Sequence, residues 1–439
     1  MLNMMDFILI ILIMLFKYFD LYFYSNIFFM LSFLMLIHMD MFVEWFDLML
    51  FFGSNLFSFG LLMLTLWIMS LVYMIMKNIM SLKLCLNLLS VMNLILVMSF
   101  SSLNFIWFYY MFEVSLLLIF FLILFWGYGQ LRIMASYYLV FYTLFFSFPL
   151  MLIIIYLSKN ELSNFIMSEL NNKGDILNKF LIGFMMMSFL VKFPMFPVHI
   201  WLLKAHVEAP VFGSMILAAI MLKLGSYGML RMSLIFSNIL YEYKSYIMYI
   251  SLISIIFLSL LCLCQNDMKS LVALSSVVHM GLMLSSMMTL YKLSFLGSYL
   301  MMLAHGLCSS GMFYMLNLCY LISNSRLMVI NKGLMVYAPS MTLMWFLICS
   351  SNMAVPPSMN LVGEIMLLMS LMMYMKISIF MLFMYCLFSF MYSLYFFSYI
   401  NHGESNFSLM MMNKMLNFIV LLYHWIPLNI VIFNLDLFI

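Results

Sequence analysis

Seven ionisable side chains lie inside long apolar runs of this sequence: Glu113, Lys192, Lys223 and Glu364, with the imidazoles of His199, His279 and His305. A charge at mid-bilayer costs about 2.5–3.5 kcal/mol on the insertion scale. Two acids and two bases are what internal pairing requires. Two chemistries fit them. One is a set of structural ion pairs that hold helices together. The other is a proton relay, in which carboxylate, ammonium and imidazole groups alternate and the imidazoles titrate near neutrality. The spread of the groups over separate apolar runs favours the relay. A second group, His199, Lys204, His206 and Glu208, gathers where one run ends, and serves either as interface support or as access to the relay.

Other chemistries find no residues. The seven cysteines are Cys85, Cys262, Cys264, Cys308, Cys319, Cys349 and Cys386, nearly all in apolar runs, and none forms a CxxC or a Cys/His cluster. They read as packing residues. The buried histidines lack metal-ligand spacing, and His38, His402 and His424 read as peripheral. There is no GxGxxG, P-loop, haem-attachment motif or iron–sulfur spacing, so no bound cofactor is expected and any redox step belongs elsewhere. The net charge of +3 is spread along the chain with no basic run, which excludes a nucleic-acid surface.

The elements that must carry these groups are membrane helices. Of the 439 residues, 68% are hydrophobic and 8% charged, against about 25% charged in soluble domains. A chain this apolar reads as an all-α polytopic membrane protein of about 14 spans. The expected spans are 2–17, 21–38, 57–76, 80–100, 102–126, 135–157, 178–200, 211–233, 245–264, 270–289, 297–322, 340–370, 377–400 and 414–433. The first lacks the basic flank and small-residue cleavage site of a signal peptide and is kept as a span. The longest polar connection is 158–177. The odd-numbered loops hold nine Lys and Arg against seven in the even-numbered loops, Arg231 among the seven. The positive-inside rule therefore puts the odd loops on the inner side and both termini opposite. Tyr and Trp near span ends fit the aromatic belts, and the Met-rich faces read as lipid-facing or packing surface.

Proline placement marks two special spans. Pro194 and Pro197 fall in LVKFPMFPVHIW, and Pro356 and Pro357 in NMAVPPSMNLVGE. Each removes a helix donor and clashes with the preceding turn. Two broken helices are expected, near 192–197 and 355–364, each carrying one buried charge, Lys192 or Glu364. Paired breaks of this kind are the pattern of inverted-repeat transporters, whose ion sites lie at the breaks.

The abundance of Met (56), Phe (46) and Tyr (27) beside scarce Gly (16) and Pro (8) points to an AT-rich organellar gene. The stretch FLVKFPMFPVHIWLLKAHVEAPVFGSMILAAIMLKLGSYGMLR (189–231) resembles the chain 4 family of mitochondrial NADH–ubiquinone oxidoreductase, respiratory complex I. FYYMFEVSLLLIFFLILFWG (108–127), YYLVFYTLFFSFPLM (137–151), NDMKSLVALSSVVHMG (266–281), LAHGLCSSGMFYMLN (303–317) and NMAVPPSMNLVGE (352–364) support it. The resemblance covers roughly 100–370. Glu364, where sister chains 2 and 5 carry lysine, points to chain 4.

The resemblance implies a membrane-arm, antiporter-like subunit of the mitochondrial inner membrane. It would comprise N-terminal helices over 1–100, a proton-translocating core of inverted repeats over 101–400 and a C-terminal helix over 401–439. It implies that Glu113 pairs with Lys192, that Lys223, His279 and His305 continue the path, and that Glu364 is its terminal station or its link to a neighbour. NADH, FMN, iron–sulfur clusters and ubiquinone would sit on other subunits. Partners would be the other membrane subunits, especially chains 2 and 5, and phospholipids. One ion pair at 4 Å is worth about 4 kcal/mol at an effective dielectric of 20. Moving a charge against 100 mV costs about 2.3 kcal/mol, so switching one pair is the right size to move a proton. Ser275, Ser276, Ser309 and Tyr142 can order water between stations, although such hydroxyls more often bond helix carbonyls. The sequence departs from the family at Leu131, where an acid is usual, and at Cys264 and Ile322, where bases are usual. Loop salt bridges are thereby in doubt and the relay is not. The alternatives are a stand-alone or multi-subunit cation/proton antiporter and a structural scaffold.

Overall fold

The structure, a computed structural model, describes residues 21–37, 46–49, 52–76, 82–159, 176–404 and 414–437. The expected span 2–17, His38 and residues 160–175 of the long polar connection lie outside the described residues. The described chain is almost entirely helical, because only a helix satisfies its own backbone groups segment by segment where lipid offers no partners.

The first helices are α1 (Leu21–Ile37), α2 (Leu56–Ile75), α3 (Leu82–Ser101), α4 (Phe105–Trp126), α5 (Arg132–Lys159) and α6 (Ile176–Lys192). A short α7 (Ile200–Glu208) leads to α8 (Val211–Ile216), a π-helical turn (Leu217–Met221) and α9 (Leu222–Ile235). Then follow α10 (Ser237–Leu263), α11 (Met268–Met287), α12 (Lys292–Ser323), α13 (Leu334–Tyr337), α14 (Pro339–Asn352), α15 (Met359–Tyr374), α16 (Ser378–Asn401) and α17 (Met415–Ile430). Among the described residues ten helices are long and apolar enough to cross a membrane, and three shorter apolar helices accompany them: Leu21–Leu36, Phe180–Lys192 and Met359–Tyr374. Every expected span except the first overlies one of these. A small antiparallel hairpin of β1 (Phe46–Met49) and β2 (Phe52–Ser54), with Phe46 opposite Ser54, precedes α2 and was not foreseen. Its strands are too short to rise above an apolar background.

The eight prolines show why position decides their effect. Pro149 and Pro427 stay inside α5 and α17. Pro339 opens α14 and Pro210 precedes α8, where no N–H is needed. The two pairs break their spans, as expected. α6 ends at Lys192, two residues before Pro194, and helix resumes at Ile200. α14 ends at Asn352 and helix resumes at Met359 beyond Pro356 and Pro357. Two donors lost within a turn cannot be bridged as one can.

The chain forms two compact units. The first contains α1–α6, α8, the π turn and α9. Residues 208–233 are buried without exception, so α8 through α9 form its central column. α9 packs on α6, and α8 and the π turn on α2. The second contains 193–207 and 241–435, which hold α10 beyond its first turn and α11–α17. Its column is α12, against which α11, α14, α15 and α17 pack.

The loop assignment of Arg231 is corrected. It lies in α9 and is buried, and its guanidinium donates to the carbonyls of Ser102 (2.8 Å) and Leu103 beyond the end of α3. It also stands 4.8 Å over the Phe105 ring. The carbonyl end of a helix attracts a cation, which is how an arginine is held among apolar side chains. Arg231 therefore leaves the even-loop set; Lys269 of the odd-loop set is likewise buried, on α11, so the difference of two between the sets is unchanged. His424 is a second correction. It is fully buried on α17 against Gly311, not peripheral, while His402 is exposed after α16.

Candidate functional site

In the first unit, α4 and α6 bring Glu113 and Lys192 together. Lys192 Nζ lies 3.1 Å from Glu113 Oε1, with side chains 5% and 13% exposed respectively. The same ammonium sits over the ring of Phe112, the neighbour of its partner. Lys192 thus has two supports, the carboxylate of Glu113 and the quadrupole of the Phe112 ring. The other carboxylate oxygen of Glu113 is buried with no hydrogen-bond partner among the described residues. The approach of the helices depends on Gly228 of α9. A Cβ there would fall 2.4 Å from Phe189 of α6 and 3.2 Å from Phe108 of α4.

Lys223 is completely buried on α9, and its ammonium donates to the Ala218 carbonyl at 2.8 Å. Ala218 belongs to the π turn, whose wider ring loosens the regular helix bonding, and π turns recur at functional sites. The sequence offered no signal for this turn, since LAAIMLK is ordinary helix-forming text.

In the second unit α11, α12, α15 and α16 converge. His279 Nδ1 lies 3.2 Å from Glu364 Oε1. Its ring centroid is 5.7 Å from that of His305 on α12. Two residues of α16 complete the cluster and were not singled out from the sequence. Tyr385 donates to Glu364 Oε1 (3.0 Å) and meets His279 Nδ1 (3.3 Å), while Tyr392 meets His279 Nε2 (3.3 Å). Among 27 tyrosines nothing marked these two except a seven-residue spacing, two helical turns on one face. α15 is held close to α12 by glycines on both helices. A Cβ on Gly297 would meet Met366 at 2.8 Å, and one on Gly363 the Met301 backbone at 3.2 Å.

The two units repeat one arrangement in their own helices. In each, the broken span supplies a charged group, and its partner comes from two spans earlier. Lys192 precedes its break and meets α4. Glu364 follows its break and meets α11.

The four residues where span 7 ends do not play one part. His199 stacks on Phe196 at 5.6 Å, and His206 lies parallel to Phe313 at 4.7 Å, both buried. Lys204 is exposed. The Glu208 carboxylate fills the space a side chain at Gly129 would need. The serines bond helix carbonyls: Ser275 to Val272 (2.8 Å), Ser276 to Ala273 (2.7 Å) and Ser309 to His305 (2.6 Å). At the first family departure Leu131 is exposed, and Arg132 donates instead to the Gly127 carbonyl at 3.3 Å. Among the described residues no three His, Cys, Asp or Glu side chains are grouped to hold a metal. All seven cysteines are free, and five of them are buried.

Residues 102–383 match the family model described as NADH:quinone oxidoreductase/Mrp antiporter, TM. The NADH-ubiquinone oxidoreductase chain 4 of Apis mellifera ligustica is 47% identical over 90% of this chain and 88% of its own length. The chain 4 of Aedes aegypti is 42% identical over 98% of both chains. This chain belongs to the NADH–ubiquinone oxidoreductase chain 4 family. A chain in the structure described as respiratory complex I from Thermus thermophilus with bound NADH has the same fold. It superposes with a TM-score of 0.78 at 18% identity, covering 86% of this chain and 81% of that one. The chain 4 match extends well outside 100–370, so the N-terminal helices, weakly diagnostic as sequence, belong to the same protein type as the core.

Proposed function

We propose that this chain carries protons across the mitochondrial inner membrane through two buried acid–base clusters. It does so as a membrane-arm subunit of NADH–ubiquinone oxidoreductase. The observation that carries the reading is the recurrence of one buried acid–base pair on each Pro-broken span, Glu113–Lys192 and His279–Glu364. A helix interrupted inside a membrane is tolerated where protein or a water-filled cavity covers the freed backbone groups, and a charge on each interrupted span is hard to explain as helix glue alone.

In this reading Lys192 is held protonated while Glu113 stays within contact distance, and it releases its proton when the carboxylate withdraws. Lys223, His279, His305 and Glu364 are the later stations. His199, Lys204, His206 and Glu208 are supporting residues, of which only the exposed Lys204 retains an access role. The relay core occupies 101–400, between N-terminal helices over 1–100 and a C-terminal helix over 401–439. Electron transfer through NADH, FMN, iron–sulfur clusters and ubiquinone belongs to other subunits. Chains 2 and 5 are the expected neighbours, with phospholipids around the exposed apolar faces.

The test is the intact complex with Lys192→Met. Less of it assembles, because Glu113 loses its partner, and in the fraction that assembles proton pumping per NADH falls steeply. Normal pumping by the assembled variant rejects the relay. The matched family also includes antiporters, which makes a cation/proton antiporter the competing reading. Migration of the chain in a small assembly without NADH dehydrogenase activity on a native gel would favour it.

A further inference from the structure

The second cluster contains more than a histidine–carboxylate pair, and its donors can be counted. An ionised Glu364 only accepts hydrogen bonds. Tyr385 spends its one proton on Glu364 Oε1 at 3.0 Å, so toward His279, 3.3 Å away, its oxygen only accepts. His279 Nδ1 therefore carries a hydrogen, which also faces Glu364 Oε1 at 3.2 Å. A neutral imidazole with hydrogen on Nδ1 has a bare Nε2. Tyr392, at 3.3 Å, donates to it. All the hydrogen bonds then point one way, from Tyr392 through His279 and Tyr385 to Glu364. The tyrosines and His279 are at most 2% exposed, so bulk water does not compete for these bonds, whereas the Glu364 side chain is 12% exposed.

We infer that Tyr392, His279 and Tyr385 form a polarised hydrogen-bonded wire that delivers single protons to Glu364. The inference rests on the reading of this cluster as part of a proton path. A protonated water gives its proton to the Tyr392 oxygen as the Tyr392 hydroxyl proton passes to Nε2. The Nδ1 proton moves to the Tyr385 oxygen as the Tyr385 proton passes to Oε1, or it moves to Oε1 directly. One proton enters and one arrives, no electrons move, and Glu364 ends neutral. The imidazole is left as the opposite tautomer with its bonds reversed. A second proton must wait until Glu364 has discharged and the hydroxyls and imidazole have reset. The wire therefore passes one proton per cycle.

The two tyrosines are not equivalent. Nε2 has one partner among the described residues, while Nδ1 has two. In the intact complex reconstituted in liposomes, Tyr392→Phe should lower protons pumped per NADH about tenfold, and Tyr385→Phe about two- to threefold. Each figure is normalised to assembled complex. The solvent deuterium effect on pumping should also change in Tyr392→Phe, a readout that lost packing would not move. Wild-type pumping in Tyr392→Phe, or the opposite order of severity, overturns the wire. Glu364→Gln run in parallel separates the two levels. If it pumps normally, the proton-path reading itself fails. If it does not pump while both tyrosine variants do, the path stands and the wire falls. Should Tyr392→Phe fail to assemble, isotope-edited infrared spectra of the wild-type complex, referenced to His279→Gln, report the tautomer. A resting His279 protonated on Nε2 alone overturns the wire.

Discussion

Lys192 and His424 are both buried in apolar surroundings, and comparing them shows what separates a station from a packed polar group. Lys192 meets a carboxylate on another helix at 3.1 Å, so its charge depends on a distance that helix movement can change. His424 Nδ1 bonds the Val420 carbonyl of its own helix at 2.8 Å, which no helix movement alters. Removing one partner of a buried pair strands the other. Glu113→Gln should therefore cost about 3–5 kcal/mol, read as less assembled complex on native gels and a lower Tm. The double variant Glu113→Gln with Lys192→Met should regain assembly without regaining pumping. His424→Leu should shift stability by less than about 1.5 kcal/mol and leave pumping per assembled complex at the wild-type value. A pumping defect there would show that a third cluster had been overlooked. At this scale the residue types of the six proposed stations were legible, because a charge or imidazole in an apolar run is conspicuous. Tyr385 and Tyr392 were not, since a hydroxyl on an aromatic ring costs little to bury and leaves no mark.

Elements approach closely only where side chains allow it, and glycines set those limits. Gly228→Ala would push its Cβ into Phe189 on α6, the helix that ends in Lys192. The expected cost is about 1–3 kcal/mol, with a further loss of pumping per assembled complex because the Glu113–Lys192 distance changes. Gly297→Ala meets Met366 at 2.8 Å, while Gly363→Ala meets backbone only at 3.2 Å or more. Gly297→Ala should accordingly be the more damaging of the two, which parallel thermal melts of the purified complex would check. The breaks themselves were readable, since paired prolines within one turn remove more bonding than a helix can absorb. The single Pro149 and Pro427 show that a lone proline does not suffice. The π turn and the β hairpin were not readable, because both depend on how neighbours fit.

As a whole molecule, the chain has no polar shell for water, and its helices present large apolar side chains such as Phe141, Phe145 and Val336 outward. Alkaline or high-salt washing should leave it in the membrane. Mild detergent should release it in the band that stains for NADH dehydrogenase activity, with mass spectrometry of that band as the check. Each of the two units is built around a buried helical column that carries ionisable side chains, Lys223 and Arg231 in the first and His305 in the second. In the sequence the repeat appeared only as two proline pairs about five spans apart, too weak a similarity to set the units' limits.

Composition and periodicity determined that this is a helical membrane protein, where most helices run, where two of them break and that Glu113, Lys192, Lys223 and Glu364 lie within apolar helices. They determine these things because burial of charge, loss of backbone donors and long apolar runs each carry large local energies that neighbours cannot cancel. Only the tertiary structure decided that Lys192 has Phe112 as well as Glu113, that Lys223 turns to a carbonyl of the π turn, and that Arg231 is held by the end of α3. It also decided that two tyrosines bracket His279. Apart from Lys223, whose partner lies five residues away, those choices turn on contacts between residues dozens of positions apart, each worth a few kcal/mol at most, and are settled by which helices pack together.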